Sequence, residues 1–243
     1  MKAQSSEDRA SVRGSVSVVI PALNEEACIA EVVRSIPSEI AGEVIVVDNG
    51  SDDETAARAL SAGARVVSEP RRGYGRACRA GARAVAPGCE VVVFLDGDGS
   101  DCPELMARLV EPILAGEQDF VIGSRTRGKR EPGSMNFQQV FAGRIAGFLL
   151  RMIYGVSYTD MCPFRAIRRD SLESLGMREE TYGWNLEMQM RAARARLRIL
   201  ELPVDHRCRA GGESKVSGTL SGTLRAGTRI LATLTRVALE KQG

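Results

Sequence analysis

Two aspartates one residue apart, Asp96 and Asp98, directly follow a run of apolar residues that ends at Leu95. Such a run predicts a buried strand, and carboxylates at its C-terminal end face the crevice where open α/β sheets bind ligands. Carboxylate oxygens suit Mg²⁺ or Mn²⁺, which binds substrate phosphates as well as protein. The pair therefore predicts a metal–phosphate site, with Asp98 as the better direct ligand. The alternative is an ordinary turn at the end of the strand, because the Asp-Gly sequence is common in turns.

The elements that must position this pair alternate between strand and helix. Apolar runs predict strands, and apolar residues at helical spacing predict the helices between them. This alternation is typical of a parallel, doubly wound α/β sheet. The predicted strands cover residues 16–21, 43–48, 64–68, 90–96, 119–123 and 197–204, and the helices cover 25–36, a segment opening near 52–54, and 73–86, 103–115, 137–154 and 184–196.

Composition narrows the class of protein. The 243 residues are 44% hydrophobic and 26% charged, which is typical of a globular protein. No apolar run reaches the ~18–20 residues of a membrane span, and residues 1–14 have no signal-peptide pattern. Six cysteines without a CxxC pair and a single histidine, His206, disfavour a zinc site and favour a reducing, cytoplasmic setting.

Charge is distributed unevenly behind a net value of +2. Residues 1–122 carry 12 basic and 20 acidic side chains, whereas residues 123–170 carry 9 and 3, and residues 194–243 carry 10 and 4. The two basic blocks indicate an anionic partner, either a phosphate substrate or an acidic membrane surface. Nucleic acid ranks last, because no nucleic-acid-binding motif is present.

Two predicted helices combine apolar stripes with arginines. The helix over 137–154 aligns Phe137, Phe141, Ile145, Phe148 and Met152, with Arg144 and Arg151 sharing a face. Such helices lie in membrane interfaces, with arginines reaching the headgroups. Ordinary core packing, or a dimer contact of the tail helix, is the alternative. The tail from residue 219 repeats the pattern with Leu220, Leu224, Ile230, Leu231, Leu234 and Val237 largely opposite Arg225, Arg229 and Arg236.

Several motifs, in this order and spacing, resemble family 2 glycosyltransferases, which have the Rossmann-like glycosyltransferase A fold. The later motifs look like the dolichyl-phosphate mannosyltransferase and polyprenyl-phosphate glycosyltransferase branch, and the resemblance covers roughly residues 15–220. The motifs are Ile20-Pro21-Ala22-Leu23-Asn24-Glu25-Glu26, Val47-Asp48-Asn49-Gly50-Ser51-Asp52-Asp53, Gly73-Tyr74-Gly75-Arg76-Ala77, Asp96-Gly97-Asp98, Asp160-Met161-Cys162-Pro163-Phe164-Arg165-Ala166 and Gly211-Gly212-Glu213-Ser214-Lys215.

The resemblance implies a UDP- or GDP-linked sugar donor. Asp48 would accept a hydrogen bond from the base or ribose, although a turn cap is the alternative. Arg76 would add a cation for the diphosphate beside Gly75. Asp96 would bind the metal through water or hold the ribose, and Asp101 or water would replace the third ligand that relatives supply. The donor-binding candidates are Pro21, Asn24, Glu25, Asp48, Gly50, Gly75, Arg76, Asp96 and Gly97.

A second set of residues would serve the acceptor. A phosphate acceptor is already ionised, so a carboxylate would position it or complete charge stabilisation, whereas a hydroxyl would need a base. Asp160 is the first candidate and Glu187 the second, with a helix-surface pair between Glu187 and Arg191 as the alternative. His206 is expected to be structural or on a loop surface. The phosphate- and acceptor-binding candidates are Arg125, Arg165, Arg209, Ser214 and Lys215, with a solvated basic surface as their alternative.

The leading interpretation is an inverting, metal-dependent transferase that moves a hexose to a polyprenyl phosphate at the inner face of the cytoplasmic membrane. A soluble or glycerolipid hydroxyl acceptor is the nearest alternative; a sugar-nucleotide pyrophosphorylase and a non-catalytic membrane-binding module are others. The predicted organisation is a polar tail over 1–14, a catalytic domain over 15–218 with halves 15–124 and 125–218, and an amphipathic helix over 219–243.

Overall fold

The computed structural model describes residues 15–211 and 232–240. The strands are β1 (Val16–Ala22), β2 (Glu43–Asp48), β3 (Arg65–Ser68), β4 (Val91–Phe94), β5 (Phe120–Ser124), β6 (Arg165–Arg168) and β7 (Ile199–Pro203). The helices are α1 (Ile29–Ser35), α2 (Thr55–Ser61), α3 (Tyr74–Ala84), α4 (Met106–Leu114), α5 (Phe137–Tyr154), α6 (Arg169–Ser174), α7 (Trp184–Arg194) and α8 (232–239), with a 3₁₀ turn over Pro103–Leu105.

These strands form one seven-stranded sheet in the order β3-β2-β1-β4-β6-β5-β7. All neighbours pair in parallel except β6, which runs antiparallel to both β4 and β5. The predicted mostly parallel sheet flanked by helices is thereby confirmed. The antiparallel strand β6 and the short helix α6 that follows it were not predicted. The sheet continues from the first predicted half into the second, and the domain boundaries stay a prediction.

The central strands are buried on both faces, which explains why they read as continuous apolar runs. All four residues of β4 and all seven of β1 are buried. Helix α3 lies very close to this layer, because a Cβ at Gly81 would overlap Val19 and crowd Val47. The small-residue composition of α3 therefore permits close helix–sheet packing, which fixes the loop before α3 at the sheet edge.

Parallel pairing brings the carboxyl ends of β1, β2 and β4 to one edge. Val19 pairs with Phe94, so the turn after β1 and the Asp96–Asp98 loop leave the sheet side by side. Because β6 is antiparallel and pairs Arg165 with Phe94, its first residue reaches the same edge. The functional motifs that are far apart in the sequence therefore converge here.

Helix α5 and the tail helix behave differently from one another. On α5 the large apolar side chains of the predicted stripe are exposed, while Gly143, Ala146, Gly147 and Leu150 face the protein. On α8 the opposite holds, because Leu234 and Val237 are buried. The packing alternative is thus correct for this part of the tail, and its interfacial interpretation is wrong. Of the other predicted tail positions, Arg236 is described, and the rest lie outside the described residues, namely Leu220, Leu224, Arg225, Arg229, Ile230 and Leu231. Among the described residues no helix has the length and hydropathy to span a membrane.

Candidate active site

A cavity with a volume of about 1110 Å³ opens at the carboxyl edge of the sheet. It is lined by parts of both predicted halves, which the antiparallel strand β6 joins. A cleft of this size holds a ligand larger than a single sugar. Of the predicted site residues, Pro21, Asn24, Glu25, Asp96, Gly97, Asp98, Arg125, Asp160 and Arg209 line it.

The Asp96–Asp98 loop is held in a tight hydrogen-bonded turn. Asp98 Oδ1 accepts hydrogen bonds from the backbone N–H and the hydroxyl of Ser100, at 2.9 and 2.6 Å. The Tyr74 hydroxyl donates to Asp96 Oδ1 at 3.0 Å, and the Asp96 N–H donates to Asp101 Oδ2 at 3.0 Å. The loop therefore presents three carboxylates from six consecutive residues in a fixed arrangement.

The closeness of these carboxylates raises the pKa values of two of them. Burial, and then the charges of Asp98 and Asp101, raise the pKa of Asp96 to about 8. Burial and the charge of Asp98 also raise the pKa of Asp101 to about 7 against the hydrogen bond from Asp96. Asp101 Oδ1 is buried without a hydrogen-bond partner. The loop thus concentrates more negative charge than the surrounding protein compensates.

The donor chemistry of this loop fits Mg²⁺ or Mn²⁺. The available ligands are carboxylate oxygens in a region of excess negative charge, which is what these cations require. Within the described residues no group of three acidic, histidine or cysteine side chains already forms a metal cage. Asp96 and Asp98 would hold the ion, with the remaining positions left to water and substrate phosphate.

Arg209 brings a cation to this loop from the second half. Its guanidinium contacts Glu25 Oε1 at 2.6 Å and Asp98 Oδ2 at 3.0 Å. The surrounding segment is tied across the loop, because the N–H groups of Arg207 and Ala210 donate to the carbonyls of Ser100 and Asp98. Arg209 is therefore placed beside the predicted metal. Ser214 and Lys215 lie outside the described residues.

Arg125 and Asp160, which also line the cleft, form a bidentate ion pair. Arg125 Nε and Nη2 each donate to an Asp160 oxygen at 2.8 Å, and the Arg125 N–H donates to Oδ2 at 2.9 Å. Asp160 is buried, which favours its neutral form, but the charge and hydrogen bonds of Arg125 outweigh this and hold its pKa below the usual range. Asp160 is thus a fixed anion that orients Arg125.

Two acceptor-site predictions are corrected by the structure. Glu187 does not line the cleft: it is fully buried, accepts the N–H groups of Arg178 and Glu179, and pairs with Arg191 at 2.9 Å. The expected Glu187–Arg191 pair therefore forms, but inside the protein. Arg165 is also fully buried, and donates to the Asn185 and Cys162 carbonyls. Neither side chain reaches a substrate in the cleft.

Four donor-site predictions also fall outside the cleft lining. Asp48 accepts the N–H of Ser51 at 3.0 Å, which is the turn-cap alternative, and Gly50 has the positive φ of 78° that such a turn needs. Gly75 lies against the Glu179 carbonyl, and Arg76 pairs with Glu180. These residues therefore stabilise the loops around the cleft without lining it.

Several cleft residues were missed by sequence reasoning. Asn49 lies in the quoted motif and locks the next loop, since its side chain donates to the Glu69 and Arg71 carbonyls and accepts the Gly73 N–H. Tyr74, which holds Asp96, is also inside a quoted motif. His206 is buried and lines the cleft, which corrects the surface alternative. Burial and the Arg125 charge lower its pKa to about 4.

Comparison with known proteins defines the class. A sequence model of glycosyl transferase family 2 matches residues 17–176, and the chain belongs to this family. It is 38% identical over 215 residues to an uncharacterized glycosyltransferase of Mycobacterium tuberculosis, covering 87% of this chain and 94% of that protein. It is 33% identical to the dolichyl-phosphate hexose transferase of Haloferax volcanii, covering 93% and 95%.

A solved structure supports the same conclusion. Glucosyl-3-phosphoglycerate synthase from M. tuberculosis, in complex with Mn²⁺, uridine diphosphate and glucosyl-3-phosphoglycerate, superposes with a TM-score of 0.77 at 28% identity. The match covers 98% of this chain and 85% of that one. The fold is accordingly the glycosyltransferase A fold, and the protein is a glycosyltransferase.

Replacing Asp160 by Asn should separate binding from turnover. The amide keeps the shape but cannot pair with Arg125 through two anionic oxygens, so the guanidinium loses its orientation. We expect unchanged nucleotide affinity by calorimetry and a turnover loss of ~10²-fold or more. A folded Asp160→Asn enzyme with normal turnover would refute the role of Asp160.

Proposed function

We propose that this glycosyltransferase transfers a hexose from a UDP- or GDP-linked donor to the phosphate of a polyprenyl phosphate, with inversion at the anomeric carbon. A divalent cation, Mg²⁺ or Mn²⁺, would bind at Asp96 and Asp98. The enzyme would act as a peripheral protein at the cytoplasmic face of the membrane.

The observation that carries this proposal is that each carboxylate lining the cleft already has a partner. In the described residues Glu25 and Asp98 share Arg209, Asp96 accepts the Tyr74 hydroxyl, and Asp160 pairs with Arg125. A hydroxyl acceptor needs a base to remove its proton, whereas a phosphate arrives ionised. A cleft whose carboxylates are all engaged therefore suits an acceptor that arrives ionised, such as a phosphate.

The outer face of α5 supports a lipid-borne acceptor. The first turns of this helix reach the cleft, where Gln138, Gln139 and Ala142 are lining residues. At about 100° per residue, the apolar stripe lies almost opposite the face that packs on the protein. A water-facing helix has polar residues there. The stripe consists of Phe137, Phe141, Ile145, Phe148 and Met152, which are 44–79% exposed.

Two exposed arginines, Arg144 and Arg151, border this stripe. A basic residue near an anionic membrane contributes ~1 kcal/mol, and buried apolar side chains add the larger part of interfacial binding. The stripe would therefore seat the enzyme with its cleft at the level of the lipid phosphate. The similarity to a dolichyl-phosphate hexose transferase is in keeping with such an acceptor.

A soluble acceptor is the second candidate. The synthase of M. tuberculosis that shares this fold was solved with glucosyl-3-phosphoglycerate, a water-soluble compound. The same arginines would suit any phosphorylated acceptor. The exposed stripe of α5 has no role in that alternative, and this is why we favour the lipid.

In the proposed reaction an oxygen of the acceptor phosphate forms a bond to the anomeric carbon as the bond to the nucleoside diphosphate breaks. The bound cation would neutralise charge on the departing diphosphate. Arg209 adds a second positive charge beside it, and Asp160 holds Arg125 ready for the acceptor phosphate. No proton has to move, because the acceptor and the leaving group are both anions.

Removing one predicted metal ligand tests the donor site. Asp98→Ala should abolish the metal-dependent part of UDP or GDP affinity, because a single remaining carboxylate cannot hold the cation. Calorimetry with and without Mn²⁺ measures this. Asp52→Ala, which removes an exposed acid, should bind like the wild type. Unchanged affinity in Asp98→Ala would refute the metal assignment.

The role of α5 is tested by the double variant Phe141→Ser and Phe148→Ser. Losing two apolar side chains from the interface should weaken binding to anionic liposomes by ~10²-fold or more, since each contributes ~1.5–3 kcal/mol when buried. Flotation at low and high salt measures the loss. Leu60→Ser, at an equally exposed site on α2, is the control. Wild-type protein that does not float at low salt would overturn the membrane proposal.

A further inference from the structure

The tail helix α8 is anchored to α7 by more than apolar contact. Leu234 and Val237 are buried. The guanidinium of Arg194 donates to the carbonyls of Val237 and Glu240, at 3.2 and 2.6 Å. Arg191 pairs with the Glu240 carboxylate at 2.8 Å. Because buried apolar side chains, hydrogen bonds and an ion pair all fix α8, its other side chains can hold neighbouring groups in place.

Two side chains of α8, those of Arg236 and Thr233, contact buried acids. Glu179 precedes α7, and Glu187 lies within it. Arg236 contacts Glu187 at 3.0 Å and Glu179 at 3.4 Å. The Thr233 hydroxyl donates to Glu179 at 3.1 Å. Glu187 is fully buried and Glu179 is 3% exposed, so solvent supplies little compensation for either charge.

The carboxylates of both acids also accept hydrogen bonds that fix residues 178–182. Glu187 Oε2 accepts the N–H groups of Arg178 and Glu179, at 3.0 and 2.5 Å. Glu179 Oε1 accepts the N–H and the hydroxyl of Thr181, at 3.1 and 2.8 Å. The conformation of this segment therefore depends on the two carboxylates.

The 178–182 segment forms part of the cleft wall. Thr181 and Tyr182 line the cavity. The Glu180 carbonyl accepts the N–H of Arg76 at 3.1 Å, and Gly73 and Gly75 leave no room for a Cβ beside the carbonyls of Glu180 and Glu179. The segment thus supports the start of α3, where Tyr74 holds Asp96.

We propose that Arg236 is a positioning residue for the donor side of the cleft. Together with Thr233, it fixes Glu179 and Glu187, which set the 178–182 segment and through it the Gly73–Tyr74 turn. The tail helix then contributes to the active site indirectly, although it does not line the cleft. The kinetic part of this proposal rests on the proposed function, whereas the effect on the segment does not.

Amide hydrogen exchange and steady-state kinetics on the full chain test this together. In Arg236→Ala, exchange at residues 178–182 should accelerate, and kcat/KM for the sugar donor should fall ~10- to 100-fold through a higher KM, because the donor wall is misplaced. The KM for the acceptor should stay unchanged. Arg236→Lys should recover most of the loss, since it restores the charge.

Two further variants guard against a simple folding defect. Thr233→Val keeps the volume and removes one hydrogen bond to Glu179, so it should shift both readouts in the same direction by a smaller amount. Leu239→Ala, at an exposed position of α8, should leave both unchanged. Folded Arg236→Ala with normal exchange and normal donor KM would overturn the inference. Absence of turnover in the wild type, with the expected exchange pattern, would instead count against the proposed function alone.

Discussion

The site depends on one electrostatic constraint, the crowding of three carboxylates within six residues at the end of β4, where Asp98 and Asp101 are buried and Asp96 is half-buried. Anions at this density in a buried site cannot all stay ionised without compensation, and the pKa of about 8 for Asp96 expresses that cost. The Tyr74 hydroxyl, the Ser100 N–H and Arg209 each compensate part of it. A divalent cation with an anionic substrate would complete the balance.

The unequal charge along the chain follows from this arrangement. The acidic first half supplies the carboxylates, and the basic later segments supply the cations that surround the cleft. Arg125 extends from the end of β5, and Arg209 lies beyond β7, so both come from the far side of the sheet. The antiparallel strand β6 brings them to the edge where β1 and β4 end.

Local pattern was sufficient for much of the fold. The bounds of β2 and α5 agree with the sequence prediction, because an uninterrupted β-branched run and a capped helix carry their own boundary signals. The Asp96–Asp98 loop was found for the same reason. Arg165 and Glu187 were misplaced because their surroundings come from distant segments. Arg165 is buried by the pairing of β6 with β4 and β5, and Glu187 contacts Arg236 of the distant helix α8.

Helix α5 illustrates a different limit of prediction from sequence. Its stripe was visible in the sequence, yet a stripe alone does not tell a core face from an outward face. The small residues Gly143, Ala146 and Gly147 decide this, since they pack on the protein and turn the phenylalanines outward.

We propose that the acceptor brings its own negative charge, because each carboxylate that lines the cleft in the described residues already has a partner. The most direct test is transfer of radiolabelled sugar in liposomes that contain either a polyprenyl phosphate or the same polyprenol without the phosphate. UDP- and GDP-linked hexoses serve as donors, with Mn²⁺ present. We expect a labelled lipid only with the phosphate. Comparable transfer to the polyprenol would contradict the proposal.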